Sequence, residues 1–120
     1  MIVDRIRWRR LEDQRVDELQ EGRLLRTKAG SRALCFVRLA GRLHALADQC
    51  PHQGKPLSGG WCEDGWVVCP WHRFHFDPAT GKARNGVCAN AEVFPLERRK
   101  DGWYVGFPYT TLRFLGIDWW

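Results

Sequence analysis

The chain reads as all-β. Runs of Val, Phe, Trp, Leu and Ile recur between glycine-containing turns, and no long segment sustains a helical period. Asp64-Gly65 and Asp101-Gly102 are tight-hairpin signals between such runs. A parallel sheet, which needs helices alternating with strands, does not fit this pattern. At 120 residues the chain is expected to form one domain, residues 1–120, with a core of its own.

Taken in order, residues 1–10 alternate Ile6 and Trp8 with arginines, as a half-buried edge strand does, and edge arginines discourage strand-to-strand aggregation. Residues 11–21 are polar and form a loop or one short turn. Gly22 opens a strand over 23–28, residues 29–31 turn, and residues 32–39 form a strand apolar on both faces through Leu34, Cys35, Phe36 and Val37. Cys35 is expected in the core. Residues 40–42 close a hairpin into a strand over 43–48 that delivers the chain to Cys50, and His44 on it is expected to be exposed. Gly59-Gly60 loosens the chain before Trp61-Cys62, and the Asp64-Gly65 turn leads into Trp66-Val67-Val68-Cys69. Residues 73–77 alternate as a strand with His75 away from Phe74 and Phe76, and His75 is expected at the surface. Residues 82–90 are a loop, and residues 92–99 and 103–107 form a last hairpin.

Two short pieces, Cys50-Pro51-His52 and Cys69-Pro70-Trp71-His72, form the pattern C-x-H-x16-C-x-x-H. Thiolate and imidazole donors suit zinc or iron–sulfur chemistry. A Cys2His2 set is a common zinc site, but zinc pairs are usually separated by two to four residues, and only Pro51 lies between Cys50 and His52. When a [2Fe–2S] centre has two histidines replacing two cysteines on one iron, each iron needs two protein ligands beside the bridging sulfides. Cys50 with Cys69 can then serve one iron and His52 with His72 the other. Pro51 fixes φ in the first loop, and Gly54 permits the tight turn that aims amide groups at cluster sulfides. Cys62 and Cys88 are not needed to complete this set.

The formal charge is +5, carried by Arg5, Arg7, Arg9, Arg10, Arg98, Arg99 and Lys100, with Lys55, Arg73, Lys82 and Arg84 around the ligand segments. Such a surface steers an acidic protein partner, and no nucleic-acid module accompanies the charge. No run is long and apolar enough for a membrane span. Arg9-Arg10 lacks the apolar stretch of an export signal after it. With two cysteines on iron, Cys35, Cys62 and Cys88 read as free thiols of a reducing compartment, the cytoplasm.

From about residue 17 to residue 108 the sequence resembles the Rieske iron–sulfur family. The resemblance rests on Cys50-Pro51-His52-Gln53-Gly54 with Pro56-Leu57-Ser58, on Cys69-Pro70-Trp71-His72, and on Phe76-Asp77-Pro78-Ala79-Thr80-Gly81. It implies one [2Fe–2S] cluster on Cys50, His52, Cys69 and His72. It also implies a basal antiparallel β-sandwich or barrel with a smaller cluster-binding subdomain, about residues 49–81, inserted in it. The two histidines then lie at an exposed tip, with Trp71, Gln53 and Arg73 beside them. In the high-potential branch of the family an extra cysteine in each loop forms a disulfide, where this chain has Lys55 and Trp71. Phe74 and Phe76 stand where that branch has two hydroxyls bonded to sulfurs, and Arg73 stands where a glycine is common.

The resemblance further implies a one-electron carrier without catalysis of its own, since a mononuclear-iron oxygenase domain needs a far longer chain. It would take electrons from a flavoprotein reductase and pass them to a terminal oxygenase, as Rieske ferredoxins do. An alternative is a small subunit like that of NAD(P)H nitrite reductase, and a zinc-bearing structural module is the reading from a different class. Residues 110–120 lie beyond the resemblance and carry Leu112, Phe114, Leu115, Ile117, Trp119 and Trp120. Too apolar to hang free, this tail is expected either to fold back over the basal strands or to dock a partner or second copy.

Overall fold

A computed structural model describes the backbone of residues 2–114 and 117–118, and side chains as far as residue 111. Eleven strands are present among them, β1 (Ile2–Arg10), β2 (Leu24–Ala29), β3 (Arg32–Leu39), β4 (Arg42–Ala47), β5 (Trp61–Glu63), β6 (Trp66–Val68), β7 (His75–Phe76), β8 (Val93–Phe94), β9 (Leu96–Arg99), β10 (Gly102–Phe114) and β11 (Ile117–Asp118). All the strand pairings are antiparallel. Three short 3-10 turns, at Gln14–Glu18, Leu57–Gly59 and Arg84–Gly86, complete the elements. No helix among the described residues is long and apolar enough to cross a membrane.

The strands form three layers. In the first, β10 lies between β1 and β9 and also pairs with β11; the second runs β2-β3-β4-β8, and the third β5-β6-β7. The middle of β3 is buried on both faces, which is why residues 34–37 are apolar throughout. Leu34, Phe36 and Ala45 face the first layer, where they meet Val105 and Leu11. Cys35, Val37 and Leu46 point the other way, into a cluster with Val67, Phe76 and Leu57 from the segment between β4 and β8. Alternation along a strand sends successive side chains to opposite faces, so one strand serves two cores. Burying each such side chain contributes roughly 1.5–3 kcal/mol.

Several sequence expectations are modified. The strand expected over 92–99 is broken, because Pro95 has no N–H to give the ladder, and β8 and β9 go to different sheets. The last strand continues past Phe107 to Phe114, with Thr110, Thr111 and Leu112 opposite Asp4, Val3 and Ile2. His44 is half-buried rather than exposed, and burial lowers its pKa. The apolar side chains named in the tail lie outside the described residues.

Candidate metal centre

The predicted ligands come from two loops held at the end of this scaffold. β4 runs into Asp48 and then Cys50, and Cys50 is tied by its N–H to the Lys55 carbonyl at 2.7 Å. Gly54 closes the loop with an N–H to the Cys50 carbonyl at 2.7 Å, and its φ of +72° is the left-handed backbone that the sequence led one to expect. The second loop hangs from the β5–β6 hairpin, whose Asp64 and Gly65 both have positive φ, as a two-residue turn between twisted strands needs. The Cys69 N–H donates to the Phe74 carbonyl at 2.9 Å, closing the loop at its base.

The structure brings all four residues together as two pairs. Cys50 and Cys69 are 1% and 0% exposed. Burial pushes the Cys69 thiol up to about 11, against the pull of the Trp71 backbone N–H, and the adjacent Cys50 thiol raises it further. His52 and His72 are exposed, their rings edge to face with centroids 5.2 Å apart. Among the described residues no three His, Cys, Asp or Glu side chains converge on a point that would hold one ion. Two buried soft donors and two exposed imidazoles make a donor set whose chemistry fits a two-iron cluster with unlike ligand pairs.

The remaining loop residues fix this geometry. Gln53 Nε2 lies 3.3 Å from His72 Nε2, which ties the first loop to the second. The Phe74 ring is 4.6 Å from His52 and 6.1 Å from His72, so an apolar ring backs both imidazoles. Phe76 is fully buried in the same cluster as the two thiols. Lys55 Nζ sits 5.0 Å from the Trp71 ring centroid. The two positions where the high-potential branch has a disulfide are thus bridged by a cation–π contact. His72 and Arg73 both have left-handed backbone, φ +62° and +54°, which explains the preference for glycine at the second position.

Two supports were not legible in the sequence. Asp48 has a fully buried side chain and accepts from the Ser58 N–H at 2.7 Å, Ser58 Oγ at 2.6 Å and Arg26 at 3.0 Å, binding the first loop to β2. An acidic residue at a strand end gives no signal of this, since its partners lie 10 and 22 positions away. His75 is not a plain surface residue. Its Nδ1–H donates to the Arg73 carbonyl at 2.7 Å, its Nε2 lies 3.4 Å from Glu63, and Trp66 stacks on it edge-on. Cys62 and Cys88 pack against the rim of the buried cluster, and all five cysteines are unpaired.

Comparisons with known proteins agree with this geometry. Residues 9–97 match the family model for the Rieske [2Fe-2S] domain. The nitrite reductase [NAD(P)H] of Emericella nidulans is 33% identical over 91 residues, which cover 68% of this chain but 8% of that protein. The anthranilate 1,2-dioxygenase ferredoxin subunit of Burkholderia cepacia is 36% identical over 82 residues, 68% of this chain and 76% of that one. A solved complex of reduced oxygenase and oxidized ferredoxin in carbazole 1,9a-dioxygenase contains a chain that superposes with a TM-score of 0.66 at 27% identity, covering 75% of this chain and 94% of the other.

Proposed function

Because the chain belongs to the Rieske [2Fe–2S] domain family, we propose that it is a one-electron carrier, with Cys50 and Cys69 on one iron and His52 and His72 on the other. When bound there, such a cluster would supply reversible one-electron chemistry. The chain's own residues do the rest. Buried Cys50 and Cys69 keep water from the thiolate side, and Phe74 shields the inner faces of the imidazoles. Exposed His52 and His72 present their ring edges to a partner. Gln53 holds the first loop in register with the second, and Asp48 ties the first loop to β2.

The acceptor is a terminal oxygenase and the donor a flavoprotein reductase, both reached in the cytoplasm. The single observation that carries the carrier reading is the pairing of two buried thiols in one contact and two exposed imidazoles in another. The assignment to an oxygenase system is supported by the dioxygenase ferredoxin subunit, of which this chain covers 76%. A second reading, a nitrite-reductase module, is favoured by the 33% identity to that enzyme, although the match spans 8% of its length. Residues 110–112 extend the basal sheet rather than serving as a docking anchor, and the pairing of Thr110–Leu112 with Ile2–Asp4 supports this.

The test is reconstitution. The loaded protein should be reduced by NADH through a flavoprotein ring-hydroxylase reductase and reoxidised by the matching oxygenase with substrate. Cys50→Ser and Cys69→Ser should abolish both steps. Exchange with a nitrite reductase flavoprotein alone would select the second reading.

A further inference from the structure

We propose that the mouth of the β-sandwich, where Arg7 and Arg9 of β1 face Arg32 of β3, is a docking cleft for an acidic, extended segment of a partner protein. Directly opposed residues of an antiparallel pair share a face. Arg9 is opposite Val105 and Arg7 opposite Phe107. Val105 is buried between the first two layers and Phe107 packs on the same cluster. The two arginines therefore occupy the core-facing side of β1, at the point where the second layer ends in the Gly30–Ser31 turn. They line a cleft of about 360 Å³ there with Arg32, Phe107 and Tyr109.

The guanidinium groups are held in place rather than loose. Arg7 lies over the Tyr109 ring at 4.7 Å, and Arg32 lies over Phe94 at 4.8 Å and Phe107 at 5.5 Å. The Arg9 guanidinium rests on Gly30, 3.2 Å from where a Cβ would be. Arg32 gives one nitrogen to Glu92 at 2.7 Å, whereas Arg7 and Arg9 meet no carboxylate among the described residues. Stacked guanidiniums keep their in-plane N–H edges for a bidentate carboxylate.

The spacing selects the occupant. Arg7 and Arg9 are two residues apart on one strand, about 6.6 Å, the repeat at which alternate side chains of another extended chain appear. Acidic residues at every second position of such a segment match them. Nucleic acid is disfavoured because cations already cover the Tyr109, Phe94 and Phe107 ring faces on which bases would stack. The cleft opens at the end of the second layer from which β4 leads to Cys50, since Leu34 pairs with Ala47. Inward arginines also guard a strand edge against pairing, but that role requires no acidic ligand.

The experiment titrates the cluster-loaded protein against a fluorescent peptide of alternating glutamate and valine, its glutamine analogue, and a single-stranded oligothymidylate. Fluorescence anisotropy is read at low salt. The glutamate peptide should bind and the glutamine peptide should not. Arg7→Gln/Arg9→Gln should weaken binding about tenfold or more, while the charge-matched Arg23→Gln/Arg42→Gln leaves it within about twofold. Visible absorbance and melting temperature report folding of each variant. Should the double variant fail to fold, Arg9→Lys keeps the charge, loses the flat edge, and should bind severalfold more weakly. No binding, equal weakening by both charge-matched pairs, an unaffected Arg9→Lys where it stands in, or tighter binding of the oligonucleotide would each overturn the proposal.

Discussion

Arg73 stands where a left-handed backbone would favour glycine, with φ +54° directly after His72 at +62°. A non-glycine residue there costs roughly 1–2 kcal/mol, partly offset by the extra unfolded-state entropy of glycine. Arg73→Gly should therefore stabilise the protein by about 0.5–1 kcal/mol in urea unfolding, with the cluster spectrum unchanged. Phe76 is buried against the two thiols where a hydroxyl donor would stabilise added charge. The centre should lie toward the bottom of the roughly −150 to +300 mV range of such clusters, and voltammetry should give a midpoint below zero. Phe76→Tyr should raise it by tens of millivolts, on the order of a tenfold change per 59 mV for one electron. The four candidate ligands could be named because their donor chemistry is written in residue type and spacing. The roles of Asp48 and His75 could not be read, because they depend on the Ser58 amide and a turn carbonyl that only the folded chain brings near.

At the scale of elements, the turn at Gln14–Glu18 is fastened to β2 through Asp13, which accepts from the Arg15 backbone and side chain and from Thr27 Oγ1 at 3.1 Å. The Arg15 hydrogen bond, chiefly, holds the Asp13 carboxyl down to about 2 from 3.8. A depressed carboxylate adds stability above the unfolded value and loses it as the pH falls, here between about 4 and 2. Arg15 is well exposed, so screening leaves about 1 kcal/mol. Asp13→Asn should flatten that part of the acid unfolding curve by this amount. β10 carries the other element-scale expectation. Deleting residues 110–120 removes the partners of Ile2, Val3 and Asp4, so the truncated protein should stay monomeric and melt about 5 °C lower. An unchanged melting temperature with loss of a partner or dimer would assign the tail to docking. Strand positions were legible from alternation and turn residues, whereas the break at Pro95 between two sheets was not, since pairing partners are not written locally.

Over the whole molecule, three antiparallel layers stack so that the middle one is buried twice, and the metal loops emerge where the second core meets the third layer. The all-β class followed from composition and turns, but the layer order rests on which face of β3 meets which neighbour, a long-range choice. Cys50 with Cys69 and His52 with His72 are the unlike ligand pairs we propose for a two-iron cluster. Iron, zinc and acid-labile sulfide analysis of the purified protein, alongside its visible spectrum, tests this assignment most directly. The purified protein should be reddish-brown with about two irons and two sulfides per chain, and both should be lost in Cys50→Ser and Cys69→Ser. A colourless protein carrying zinc, or a full iron and sulfide content retained in those variants, would contradict it.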